Sequence, residues 1–269
     1  YDTLFYAVQG FCITKKIKKM DKQQNRRNRM KRIISMCLSA VLLLSLCVTG
    51  AAKTKTAQAE EKQKVIVIDA GHQIRAMSAT EPIGPGSSQR KAKVTGGASG
   101  CVTHLPEYKL NLQVAKKLQK ELVNRGYKVI MVRTKNNVRM SNVQRAKVAN
   151  KYKADAFIRI HANSAGSSSV KGALTIAPAS NNRYMTKANR KASQKLSKKV
   201  LKAMCKTTGA KNRGVMYTNS MTGINWCKVP VTIVEMGFMS NPSEDRKMAK
   251  ASYQKKIVKG IADGIDNFF

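Results

Sequence analysis

The sequence predicts an α/β fold: a single domain with a mostly parallel, twisted sheet flanked by helices on both faces. Three observations carry that expectation. Lys64–Asp69 (KVIVID) is a continuous β-branched run, as strands buried on both faces are, and further short runs such as Asp155–Ile160 (DAFIRI) also read as strands. Apolar residues recur at helical spacing between them, as at Leu110, Val114, Leu118 and Leu122. Strands and helices then alternate along the chain, the pattern of βαβ units.

Each element follows in order. Lys64–Asp69 is the first strand and ends in Ala70-Gly71-His72. A Gly/Ser/Pro-rich stretch from Gln73 to Leu105 reads as a long loop. The Leu110–Leu122 helix closes at Gly126. Tyr127–Arg133 is the next strand, and Ser141-Asn142-Val143-Gln144 is a capping box opening a helix through Tyr152. Asp155–Ile160 is the third strand, ending at His161; Gly172–Ala177 is the fourth. A Lys-rich helix spans Arg183–Met204, and the strand Val229–Val234 ends at Glu235. Ser243 is expected to cap a short helix with Glu244 and Asp245 in its first turn. Ser252–Phe268 is the terminal helix.

Ahead of this domain, which runs over 60–269, the composition changes. The chain begins at Tyr1, so residues 1–29 read as a basic leader or an over-extended reading frame, with Met20 or Met30 as the true start. Met30-Lys31-Arg32, the apolar stretch Ile33–Ala52 and Ala57-Gln58-Ala59 read as a secretory signal over 30–59, cut after Ala59. An uncleaved anchor is the alternative, because the stretch approaches the roughly 20 residues that span a bilayer. Both readings place the domain outside the cytoplasm and give it only transient or N-terminal membrane contact.

The charge fits that placement. The 269 residues include 51 Lys+Arg and 14 Asp+Glu, a net of +37. Residues 1–59 hold 12 basic and 2 acidic residues, a net of +10, so the remainder keeps +27. Such a surplus calls for a polyanion: nucleic acid, a membrane surface or a cell wall. Nucleic acid is excluded as the partner, since the domain is exported and carries no stacking or helix-turn-helix signature. Anionic wall polymers remain. Three cysteines, Cys101, Cys205 and Cys227, follow the signal segment, too few for a disulfide framework.

His72, His161 and Glu235 each follow an apolar strand, and ligands in α/β sheets bind beyond the carboxyl ends of strands. Imidazole and carboxylate suit zinc, whose catalytic sites keep three protein ligands and one open position. His72 and His161 supply two. The third is His104 or Glu107, with Glu107 preferred because a helix start holds it more firmly than a Gly-rich loop holds His104. A carboxylate directly after a buried strand is costly unless it is paired or functional, so Glu235 is a natural general base.

VIVIDAGH (65–72), LPEYKLNLQVAKKLQKEL (105–122), FIRIHAN (157–163), NRGV (212–215) and VTIVEMGFMSNPSED (231–245) together resemble the catalytic domain of zinc-dependent N-acetylmuramoyl-L-alanine amidases. The similarity covers about 200 residues, from Lys64 to the C-terminus. It implies one Zn²⁺ on His72, Glu107 and His161, catalysis by Glu235, and hydrolysis of the amide joining N-acetylmuramic acid to L-alanine in peptidoglycan. It leaves His104 outside the site. Asn163, Asn212 and Arg213 match positions that shape the site and are weaker substrate-binding candidates. The implied enzyme is a secreted, wall-acting monomer. A basic wall-binding protein without catalysis is the competing reading, and the zinc set counts against it. Another exported zinc peptidase is the enzyme alternative, without an HExxH motif to support it. The sequence departs from the family at Gln73-Ile74, where Gly-Gly is usual, and at Arg159, where a small residue is usual. The EPIGPG segment (81–86) resembles a subgroup of the family.

Overall fold

Strand β1 (Val65–Ala70) lies inside a six-stranded sheet of order β4-β1-β5-β8-β6-β7. The computed structural model describes residues 63–269 and the isolated positions 26, 29 and 30. The leader and signal readings therefore fall almost wholly outside the described residues. The remaining main-sheet strands are β4 (Lys128–Met131), β5 (Ala156–Asn163), β6 (Ala173–Pro178), β7 (Asn212–Thr218) and β8 (Val231–Phe238). All neighbours run parallel except β6 and β8, which are antiparallel.

The period-2 geometry of strands divides the core in two. Ile66, Ile68, Ile158, Ile160 and Val234 project to one face, against α1 (Glu107–Asn124), α3 (Lys187–Thr208) and α6 (Ala251–Asp266). Val67, Phe157 and Ile233 project to the other, against α2 (Asn142–Lys151) and the short helix α4 (Thr222–Asn225). The apolar stripe of α1 is fully used: Leu110, Val114, Leu118 and Leu122 are all buried. Truncating one of these leucines to alanine removes about 2–5 kcal/mol by the usual cost of a core cavity. The capping box of α2 forms as expected, with Gln144 N donating to Ser141 Oγ and Ser141 N donating to the Gln144 side chain.

Several expectations are corrected. The stretch 73–105 is not all loop: β2 (Met77–Pro82) and β3 (Arg90–Val94) pair there as a separate antiparallel ribbon. Asn241, not Ser243, caps α5 (Pro242–Ala249); its side chain accepts from Ser243 N and Glu244 N. Pro242 explains the shift, because its fixed φ and missing N–H suit the first helical position. Residues 212–215 begin an edge strand, β7, paired to β6.

Candidate active site

β1, β5 and β8 are adjacent and parallel, so their carboxyl ends share one edge of the sheet. β5 runs on to Asn163 and β8 to Phe238, so His161 and Glu235 lie inside strands rather than just beyond them. They are register partners across β5 and β8. His72 follows β1 in the left-handed region, with φ of 59°. That conformation is disfavoured for a residue bearing a β-carbon. It is held by buried guanidiniums: Arg133 donates to the carbonyls of Ala70 and Gly71, and Arg145 donates to that of His72.

Glu107 reaches the same point from the first turn of α1, where the helix dipole favours a carboxylate. Its Oε1 lies 3.2 Å from His72 Nε2 and 3.2 Å from His161 Nδ1. The two imidazoles meet edge to face, with centroids 4.8 Å apart. One ligating atom from each of His72, Glu107 and His161 lies within 4.8 Å of the others. Further bonds orient the set. His72 Nδ1 is 2.9 Å from the Thr95 carbonyl, which directs Nε2 inward. Glu107 accepts from Ala98 N, Ala162 N and the Asn111 side chain.

The electrostatics follow from burial and proximity. Burial opposes charge on Glu107, but its hydrogen bonds to His161 and His72 win and hold it far below the usual carboxylate range. Burial pulls His161 down to about 4, so it is neutral at pH 7. The same burial acts on His72, yet there the Glu107 carboxylate outweighs it and raises the imidazole. Burial, reinforced by the Glu107 charge, pushes Glu235 up to about 8. Glu235 Oε2 and His161 Nε2 are buried without a hydrogen-bond partner. An orphaned carboxylate oxygen beside two imidazoles and a second carboxylate is the surrounding that a divalent cation relieves. The donor set therefore fits zinc.

His104 is exposed and is not in the group. Asn163 lines a cavity of about 480 Å³ together with His72, Glu107, His161 and Glu235. Asn212 and Arg213 start β7 at the same sheet edge, beyond β6, and line neither cavity that touches the histidines. Sequence reasoning missed Thr95, because a backbone carbonyl leaves no residue signature. It also missed the anchoring of His72 by Arg133 and Arg145. The wall at Ser220–Gly223 was missed because α4 is too short to show a period.

Residues 66–267 match the protein family described as N-acetylmuramoyl-L-alanine amidase. The N-acetylmuramoyl-L-alanine amidase LytC of Bacillus subtilis is 30% identical over 165 residues, 61% of this chain and 32% of LytC, so the match spans about a third of that relative. The catalytic domain of CwlV, an amidase from Bacillus (Paenibacillus) polymyxa, is 30% identical with a TM-score of 0.61, covering 77% of this chain and 98% of that one. Ami1 from Mycobacterium smegmatis, 21% identical with a TM-score of 0.69 over 76% of this chain and 96% of that one, shares the fold. With three quarters of its length matched, the chain belongs to the N-acetylmuramoyl-L-alanine amidase family.

Proposed function

We propose that this chain is an exported, zinc-dependent hydrolase of the amide joining N-acetylmuramic acid to L-alanine in peptidoglycan. One observation carries the reading: His72, Glu107 and His161 converge within 4.8 Å at the sheet edge where Glu235 is the register partner of His161. His72 Nε2, His161 Nδ1 and Glu107 would hold the ion, and Glu235 stands beside it without ligating. A zinc ion held there would polarise the scissile carbonyl and would lower the pKa of an attacking water to about 7.

The protein's own groups do the rest. Glu235 takes the proton of that water and returns it to the departing amine, leaving a carboxylic acid on the glycan and a free L-alanine amine on the peptide. A dication nearby favours the ionised form of Glu235 against the burial that raises it. Glu107, held by hydrogen bonds from Ala98 N, Ala162 N and the Asn111 side chain, fixes both imidazoles. Asn163 lines the cavity shared with the histidines and would contact the substrate there, while Asn212 and Arg213, outside both cavities, would reach only a longer glycan.

The segment 1–59 carries the export signal in this reading, and among the described residues no helix is long and apolar enough to cross a membrane. The charge of the mature chain draws it to anionic wall polymers, an attraction that salt screens. Mass spectrometry of digested peptidoglycan tests the reaction. A stem peptide with a free N-terminal L-alanine is the expected product. A new reducing sugar end instead would overturn the assignment.

A further inference from the structure

Beside the metal-binding group lies a cavity of about 470 Å³, lined by Arg159, Lys91, Asn142 and Thr222 as well as by His72, His161 and Glu235. Arg159 is the unusual member. It comes from β5, directly opposite Asp69 of β1, and its side chain is 4% exposed. Nε donates to Asp69 Oδ2 at 3.0 Å and Nη2 donates to Asn142 Oδ1 at 2.8 Å. Among the described residues Nη1 has no hydrogen-bond partner. Nη1 is not sealed off from solvent, so its unused N–H groups are open to an acceptor that enters the cavity.

Charge counting says what that acceptor is. Asp69 is already neutralised by Arg145, whose Nη1 lies 2.6 Å from Oδ1. Asp69, Arg145 and Arg159 thus carry one surplus positive charge, and it faces the cavity. Lys91 adds a second cation on the lining. Among the described residues Glu235 is the only acidic one there, at the end next to the histidines. The backbone makes room for the guanidinium: Nη1 packs against Gly223, where a β-carbon would collide with it and would lie 2.5 Å from Cζ. Lys91 is exposed and solvated, so the surplus charge held inside the site is the single one on the buried guanidiniums, and a singly charged planar anion matches it and the free Nη1 better than a doubly charged phosphate does.

We propose that Arg159 anchors a carboxylate-binding subsite that reads a free carboxylate on the peptide side of the scissile amide. The inference rests on the amidase reading above. In that substrate the acid of the muramic acid is consumed in the scissile amide itself, so the carboxylates nearby belong to the peptide. Arg159 is then a specificity-determining residue and takes no part in proton transfer.

Two muropeptides test it, identical except that the residue after L-alanine bears a free carboxylate in one and a carboxamide in the other. Wild-type enzyme is expected to prefer the carboxylate by roughly tenfold to a hundredfold in kcat/KM, the range of a charge-assisted hydrogen bond. Arg159→Lys should cut that preference to a few-fold, mainly through KM on the carboxylate substrate, with zinc content unchanged. Gly223→Ala displaces the guanidinium while sparing the Asp69–Arg145 pair, and should narrow the preference likewise if Arg159→Lys folds poorly. Equal cleavage of both substrates by wild type, or a parallel fall for both in folded variants, would overturn the subsite. Cleavage of neither by zinc-loaded wild type would instead overturn the amidase reading.

Discussion

Gly71 lies against the imidazole of His161 so closely that a β-carbon there would come within 2.6 Å of Nδ1, the nitrogen that faces Glu107. A side chain at position 71 must push either the His72 turn or the His161 ring aside. Gly71→Ala is therefore expected to keep the fold and lose at least about a hundredfold in turnover, as misplacement by about 1 Å commonly does. Metal content and kcat measured together check this. Full zinc with parental kcat would show that the close approach is not what sets the site.

Metal removal should cost both activity and stability. A chelator is expected to abolish hydrolysis and zinc to restore it. Zinc at about a thousandfold over its dissociation constant should add about 4 kcal/mol to unfolding free energy through linkage. The gain should vanish in His161→Ala, read as the zinc dependence of the denaturation midpoint. A midpoint independent of zinc in the parent protein would argue against a resident ion.

Replacing Glu235 separates binding from chemistry. Glu235→Gln keeps the shape and removes the base. Zinc affinity should change little while kcat falls by about 10²–10⁴. Isothermal titration with zinc and single-turnover cleavage report the two quantities separately. Turnover at the parental rate would remove Glu235 from the mechanism.

Acid sensitivity should trace to Asp69. Burial alone would raise its carboxyl, but Arg145 and Arg159 outweigh burial and hold it well below its ordinary value of 3.8. A lowered folded value means that the stabilisation is present above the ordinary range and is lost as pH falls below it. Asp69→Asn leaves two buried guanidiniums uncompensated, a loss of about 3–5 kcal/mol. The gap in urea midpoint between parent and variant should stay constant from about pH 8 to about pH 5 and shrink below about pH 4. A gap that instead widens in acid would contradict the assignment.

Arg133 donates to the carbonyls of Ala70, Gly71, Tyr108 and Lys135 and to the Asn136 side chain. Burial, with Arg145 adding, pulls its pKa down to about 10, so it stays charged at neutral pH. Arg133→Met is expected to lose about 2–4 kcal/mol from unsatisfied buried carbonyls. Because two of those carbonyls precede His72, zinc affinity should also drop by about 10- to 100-fold. Unchanged affinity in a destabilised variant would restrict Arg133 to a role in the core.

Much of this was legible from the chain. Runs such as VIVIDA and VTIVEMGF announce buried strands because they face apolar neighbours on both sides. The placement of Glu107 follows from its position at a helix start. The ribbon β2–β3 was illegible for a physical reason: in MSATEP and RKAKV only Glu81 and Val94 are buried, so no apolar alternation marks them. β7 is hidden in the same way, as an edge strand with Asn212, Arg213, Gly214, Met216 and Tyr217 exposed. Arg159 stood out only as a departure from the family, and its bonds to Asp69 and Asn142 join residues 90 and 17 positions away.

β8 is the last strand of the sheet to be synthesised, yet it lies between β5 and β6. A nascent chain that stops before Val231 has two open edges where that strand belongs and lacks Glu235 altogether. The sheet closes late, across long sequence separations, which slows folding. The candidate site is therefore incomplete until β8 has been made, whatever the state of His72, Glu107 and His161.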